Sequence, residues 1–149
     1  MWAQDNNAGE LIAHFPPQQE QHQKERRPRF SPQEFTKKQE AFIIHEAGLT
    51  PAEAGGFFPL FQQMQRQLFE LNRKTRRLMR QVRTEKLTEK QYADILKELG
   101  EIQIQKVRVE NHFHNEFTKV LSVEKVLRSI DASNRFDRVI IKQMIHEKK

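Results

Sequence analysis

The sequence predicts an all-α protein: a long antiparallel helical hairpin with shorter flanking helices. Three observations support this fold: two long stretches with heptad spacing of apolar residues, a short polar connection between them, and four helix-start signals. Apolar residues that recur at alternating steps of four and three lie on one face of a helix, a pattern that a strand cannot produce.

The first long stretch runs from Phe57 to Glu85, with Thr75 in the single gap of its apolar face. From Pro59 onward such a helix would be about 40 Å long, and it needs a cover for its apolar face to be stable. Pro59 is expected to kink the helix without breaking it. The apolar positions are Phe57, Phe61, Met64, Leu68, Leu71, Leu78 and Val82.

The second long stretch begins after Thr88, which can cap it, and is predicted to end near Val120. Lys106 interrupts its heptad pattern. Because the connection near residues 85–88 is short, the two long helices are expected to be antiparallel neighbours that cover each other. The apolar positions are Tyr92, Ile95, Leu99, Ile102, Val109, Phe113, Phe117 and Val120.

Shorter helices are predicted around the hairpin. Ser31 begins a capping box whose helix should stop at Gly48, a residue that readily takes the left-handed conformation. Thr50 caps the helix that leads into the hairpin, and Ser122 caps the last helix. Residues 131–134 are a weak point at which the last helix is expected to bend or break.

A hairpin of two helices makes a thin core, so we also expect a homodimer. Several apolar residues lie off the main seam and could pack on the flanking helices or on a second subunit. They are Phe58, Leu60, Phe69, Met79 and Ile104.

Two parts of the chain are distinguished by composition. Residues 1–30 are rich in Gln, Pro, Glu and Arg and are predicted to be disordered, whereas residues 31–149 are expected to form the helical domain. The first four residues fit the end of a secretory signal peptide, with residues 1–3 as its remnant and Ala3 at the cleavage position. No apolar run approaches the length of a membrane span.

The chain carries no recognisable catalytic pattern. It has no glycine-rich phosphate loop, nucleophile elbow or metalloprotease His-Glu motif, and it contains no cysteine. We therefore expect no enzymatic activity and no cofactor. The net charge of +6 is compatible with nucleic acid, but no recognition module is present, so no specific nucleic-acid partner is expected.

A basic run marks the end of the first long helix, where Glu85 is the lone acidic residue. One interpretation is a solvated helix end. The other is a surface for polyanions or flexible client chains, because charged and apolar side chains alternate there. The candidate client-binding residues are Arg73, Arg76, Arg77, Leu78, Met79, Arg80 and Arg83.

The histidines of the second long helix suggest an alternative. His112 and Glu116 are four residues apart, so they could chelate a metal from one helical face, and His114 is the next candidate. A structural zinc site usually needs four ligands, which a dimer could supply. Solvated polar side chains are the simpler interpretation.

The segment from Leu87 to Gln91 reads LTEKQ, a complete LTxxQ motif, and two degenerate copies end at Glu53 and Lys125. With the helical hairpin, these motifs resemble the Spy/CpxP family of bacterial envelope proteins over about residues 29–147. The part from residue 29 to 61 is similar to a variant common in Bacteroidetes. The motif positions are Leu49, Thr50, Leu87, Thr88, Gln91, Leu121 and Ser122.

The resemblance implies a periplasmic protein, secreted across the inner membrane, that is all-helical, often dimeric and shaped like a cradle. Such proteins act as ATP-independent chaperones or modulate envelope stress signalling. The implied partners are unfolded or misfolded polypeptides or an envelope signalling protein. Two alternatives stay open: a metal-responsive, zinc-type periplasmic sensor or regulator, and a structural helical adaptor with one partner.

Overall fold

The computed structural model describes residues 31–147, with side chains as far as Gln143. Within this range the chain is all-α, as predicted, and has no strand. The predicted disordered segment 1–30, with its signal-peptide remnant, lies outside the described residues. The helices are α1 (Pro32–Ala47), α2 (Pro51–Thr84), α3 (Glu89–Phe117) and α4 (Val123–Glu147).

Helices α2 and α3 pack against each other as an antiparallel hairpin, which confirms the central prediction. Helix α2 continues through Pro59 without a break. Helix α3 ends at Phe117, three residues before the predicted end. The reason is local: both the backbone N–H and the hydroxyl of Thr118 donate to the carbonyl oxygen of Asn115, which tightens the last turn.

Helix α4 is continuous through residues 131–134, so a break there was the wrong expectation. Ala132 and Ser133 are buried, and their small side chains let the helix pack closely along this stretch. Arg135 donates to Asp131 across one turn at 2.8 Å. Tertiary packing therefore outweighs the weak helix propensity of the sequence at this point.

Backbone contacts divide the described residues into two compact units. Residues 40–137 form the larger unit, which contains the hairpin. The smaller unit consists of the described residues on either side of that range, in which Gln39 and Ile140 are buried. The core of the larger unit consists of Ile43, Ala47, Leu49, Phe57, Phe58, Phe61, Met64, Phe113, Phe117, Leu121, Val126 and Ala132.

The predicted helix caps are formed. Thr50 and Thr88 each accept a hydrogen bond from the backbone N–H three residues later, and the side chains of Glu53 and Gln91 return a bond to the cap residue. These capping boxes satisfy N–H groups that have no partner inside the helix. Gly48 ends α1 in the left-handed conformation, with φ of 68°.

Two ion pairs connect helices within the larger unit. Lys125 Nζ of α4 lies 2.7 Å from Glu53 Oε1 in the first turn of α2. Arg135 of α4 lies 2.8 Å from Glu46 of α1, with its guanidinium 5.6 Å from the centre of the Phe42 ring. These contacts and the aromatic core join all four helices at one end of the hairpin.

The other end of the hairpin is built differently. Beyond Met64 on α2 and before Phe113 on α3, the buried apolar residues are Leu71, Ile95 and Ile102, all of them on the seam. Each helix here covers one face of the other. The remaining faces of both helices are therefore open to solvent.

Gly56 marks a close approach between α2 and the turn that follows α3. A Cβ atom placed on Gly56 would lie 3.3 Å from two side-chain atoms of Val120, whereas one on Gly55 would meet nothing within 4 Å. We predict that Gly55→Ala raises the free energy of unfolding by up to about 1 kcal/mol, the gain in helix propensity. Gly56→Ala should gain less or lose stability. Equal effects of the two substitutions in urea unfolding would contradict this packing.

The Glu53–Lys125 pair gives a prediction on pH. The hydrogen bond from Lys125 holds the pKa of the Glu53 carboxyl below its ordinary value of 4.5. A carboxyl whose pKa is lowered on folding stabilises the fold above its unfolded pKa, and this contribution is lost as the pH falls through the folded pKa. Glu53→Gln keeps a side chain that can complete the capping box but removes the charge. Its deficit relative to the unmodified protein should therefore be present at pH 7 and be lost as the pH falls through the lowered pKa of the folded Glu53 carboxyl.

Urea unfolding of both proteins between pH 7 and pH 3 measures this deficit. Glu34→Gln is the matched control, since Glu34 completes the Ser31 capping box and has no ion pair with another described residue. A deficit of Glu53→Gln that does not change with pH would show that the ion pair contributes nothing.

Candidate functional site

The five arginines of the basic run form one stripe on the outer side of α2, where all five are exposed. At about 100° per residue they occupy an arc of about 120°. Leu78 lies two residues from both Arg76 and Arg80, about 200° round the helix, and it is half-buried in the seam. The structure thus separates Leu78 from the other predicted client-binding residues. We call Arg73, Arg76, Arg77, Arg80 and Arg83 the arginine stripe.

Phe69 belongs to this surface, although the predicted binding set omitted it. Its side chain is 57% exposed, and the Arg76 guanidinium lies 5.6 Å from the centre of its ring. A cation at this distance over an aromatic face is weakly attractive at an exposed site. The sequence signal was present, because Phe69 is a large apolar residue off the heptad seam.

Helix α3 contributes exposed apolar side chains of its own. Leu96 is 72% exposed and Val107 64% exposed, and Tyr92 is also exposed. The positions of these residues along the hairpin axis can be compared with those of residues on α2. The Phe57 and Phe117 rings lie 4.7 Å apart, which sets residues 57 and 117 at the same level and so fixes the register of the two helices. With a rise of about 1.5 Å per residue, Val107 and Phe69 lie within about 3 Å of each other along the hairpin axis.

An open groove between α2 and α3 defines one side of the hairpin, against which the exposed apolar side chains can be placed. It is lined by residues that include Gln67 of α2 and Gln105 of α3. Phe69 is two residues from Gln67, and Val107 is two residues from Gln105, so each lies about 200° round its helix from a groove residue. Phe69 and Val107 therefore share the side that faces away from the groove.

At about 100° per residue, Met79 lies about 80° round α2 from Phe69, and Tyr92 and Leu96 lie within about 60° of Val107 on α3. All three are therefore on that side, at the level of the arginine stripe. Large apolar side chains rarely lie together on the surface of a soluble protein unless they bind something. This surface offers side-chain burial to a partner and cations at its edge. We call Phe69, Met79, Tyr92, Leu96 and Val107 the apolar patch.

The charges next to the patch are mostly unneutralised. Arg73 pairs with Glu70 at 3.0 Å. Arg77, Arg80 and Arg83 form no ion pair with another described residue within 4 Å. An anionic partner would therefore meet cations that need not first give up an internal ion pair.

The histidines do not come together into a metal site. His112 and His114 are about 200° apart round α3, and Glu116 is hydrogen-bonded to Lys119 at 2.9 Å, which lowers the pKa of its carboxyl. The two rings contact Phe113 and Phe117 respectively. No group of three metal-binding side chains forms among the residues whose side chains the structure describes.

The LTxxQ positions have a structural role in this chain. The threonines and Ser122 cap helices, and Leu49 and Leu121, which precede two of the caps, are buried, while Leu87 is half-buried. The two degenerate copies depart from the motif at Glu53 and Lys125, and these two residues pair with each other. The motif residues therefore hold the helix ends, and none of them belongs to the apolar patch.

Comparison with protein-family models, with curated proteins and with solved structures finds no match to this chain. The Spy/CpxP resemblance thus stays a prediction from the motifs. Across residues 31–147, no helix combines the length and apolarity that a bilayer span requires.

The separation of His112 and His114 generates a prediction on metal binding. Zinc at a tenfold excess over protein should leave the melting temperature unchanged, because His112 and Glu116 offer at most two ligands and His114 lies on another face of α3, too few to stabilise the fold by binding zinc. Differential scanning fluorimetry with and without a chelator measures this. A rise in melting temperature that His112→Ala removes would contradict the prediction and restore the metal-sensor hypothesis.

Proposed function

We propose that this chain is a non-enzymatic binding protein that holds unfolded polypeptides without ATP and so limits their aggregation. The apolar patch would bury apolar side chains of the client, and the arginine stripe would attract its acidic residues. The observation that carries the proposal is the patch itself: five large apolar side chains left exposed on one side of a two-helix hairpin, next to a stripe of arginines.

The apolar patch suits loose binding of many sequences. Its members are a phenylalanine, a methionine, a tyrosine and two aliphatic residues, all of them exposed. Contacts of this kind depend on buried apolar area and little on sequence. Exposed aromatic and methionine side chains adapt to different partners.

The charge next to the patch supports the same proposal. Exposed cations attract acidic segments over about one Debye length, roughly 8 Å at physiological ionic strength. Long-range attraction raises the rate of encounter more than it raises the final affinity. A client would thus be drawn in by charge, held by apolar contact, and released without nucleotide.

The periplasmic location and the homodimer belong to the proposal as well. The location depends on the signal-peptide remnant and the resemblance, both of which come from the sequence. A dimer would have to leave the apolar patch open if the patch is to bind clients. Sedimentation of the patch variants described below separates a client surface from a subunit interface.

The test is the aggregation of a reduced, unfolding model protein, followed by light scattering with a stoichiometric amount of this chain and no nucleotide. The unmodified chain should suppress scattering. The double variant Phe69→Ser, Leu96→Ser should need about tenfold more protein for the same effect, since it loses apolar contact worth more than 1.4 kcal/mol.

Leu127→Ser is the matched control. Leu127 is 62% exposed on α4 and belongs neither to the apolar patch nor to the groove that Gln67 and Gln105 line. This variant should suppress aggregation like the unmodified chain. No suppression by the unmodified chain, or equal loss in the control, would overturn the proposal.

A charge series tests the arginine stripe separately. Arg76→Glu with Arg80→Glu should weaken suppression, and the loss should be larger at low salt, where charges are less screened. Lys97→Glu is the control because this exposed lysine points away from α2. A loss of aggregation suppression that is independent of ionic strength, or that Lys97→Glu also shows, would contradict a role for the arginine stripe.

A further inference from the structure

The groove on the other side of the hairpin has a different chemistry from the apolar patch. It is an open channel of about 710 Å³ between α2 and α3. Its floor includes Leu71 and Val109, which are buried and half-buried. Its walls are polar and basic. They are Gln63, Arg66, Gln67, Glu70, Lys74, Gln105 and Arg108.

We propose that this groove binds the main chain of an extended, acidic polypeptide segment. The amides of Gln63, Gln67 and Gln105 would bond to its peptide groups, and nearby cations would pair with its carboxylates. The inference rests on the proposed function for the nature of the partner. It adds a second surface that recognises the backbone of the client where the apolar patch recognises its side chains.

The first argument is the chemistry of the amides. A glutamine side chain carries a carbonyl acceptor and two N–H donors, the same groups that a peptide bond offers. None of the three groove glutamines forms a side-chain hydrogen bond to another described residue. Their donors and acceptors are therefore available to a ligand.

The second argument is spacing. Gln63 and Gln67 are one turn apart on the same face of α2, a rise of about 6 Å. Peptide groups on one edge of an extended chain recur every two residues, about 6.6 Å. The two amides thus match successive peptide groups of an extended strand. From Gln63 to Lys74 the wall is about 16 Å long, enough for about five extended residues.

The third argument is charge. Arg66, Lys74 and Arg108 form no ion pair with another described residue within 4 Å, whereas the carboxylate of Glu70 is already paired with Arg73. The groove is therefore positive. Farther along, an adjoining smaller groove is lined by Glu98 and Glu101 as well as Lys74 and Arg108, so the positive charge is balanced there. This gradient of charge favours acidic residues at the end of the ligand near Arg66.

The experiment measures fluorescence anisotropy of a labelled peptide of four Asp-Ala repeats at low salt. The control peptide has the same sequence, but alternate peptide nitrogens are methylated. Methylation keeps the charge of the peptide and removes backbone N–H donors. We expect the unmethylated peptide to bind and the methylated one to bind about tenfold more weakly. Equal binding of both probes would overturn the inference, because charge alone would then explain it.

Substitutions in the groove show where the peptide binds. Gln67→Leu with Gln105→Leu should weaken binding by about tenfold. Gln33→Leu is the matched control, since this exposed glutamine lies on α1, which contributes no residue to the groove. Equal weakening by the control, or no effect of the double variant, would contradict the assignment. Circular dichroism confirms that each variant is folded.

The two proposals fail separately. The double variant Phe69→Ser, Leu96→Ser should keep peptide binding while it loses suppression of aggregation. If the peptide binds through the glutamines but the unmodified chain suppresses no aggregation, the groove is supported and the proposed function is overturned. If aggregation is suppressed and the peptide binds only to the apolar patch or not at all, the groove is overturned and the proposed function is supported.

Discussion

Two paired helices can bury only one stripe of each other, and the rest of this structure depends on that constraint. At one end of the hairpin α1 and α4 add further layers, and the Phe57–Phe117 contact lies in a closed core with centroids 4.7 Å apart. At the other end the seam is all that α2 and α3 bury. There, both remaining sides of the hairpin stay open to solvent, and the sequence gives them different characters.

The two open sides are consistent with one function. One side carries the apolar patch beside the arginine stripe, and the other carries the glutamine groove. A folded protein buries most of its apolar side chains and forms hydrogen bonds between its main-chain groups in helices and sheets. An unfolded chain exposes both, so surfaces that bind apolar side chains and peptide groups discriminate unfolded from folded partners without reading a sequence. We infer that the thinness of the hairpin is what makes both surfaces available.

Much of the fold could be predicted because its signals are local. Heptad spacing gave the two long helices, and the caps at Thr50, Thr88 and Ser122 gave helix starts that the structure confirms. The break at residues 131–134 was wrongly expected, because buried Ala132 and Ser133 let tertiary packing decide. The site was predicted in part: the arginines share a face, but Leu78 was assigned both to the heptad seam and to the binding set, and the structure leaves it half-buried in the seam. Phe69 was visible as an apolar residue off the seam, whereas Leu96 and Val107 required the register between the helices, and the groove required the spacing of Gln67 and Gln105 across it.

The central claim is that an unfolded polypeptide contacts the apolar patch, and site-specific photocrosslinking tests it most directly. A photoactivatable residue replaces Leu96 of α3 in one protein and Leu127 of α4 in another, two exposed positions in the larger unit. Each protein is mixed with a reduced, unfolding client and irradiated. The account predicts strong crosslinking to the client from position 96, little from position 127, and none from either position to the folded, oxidised client. Equal crosslinking from the two positions, or crosslinks from position 96 only to a second copy of the chain, would contradict it.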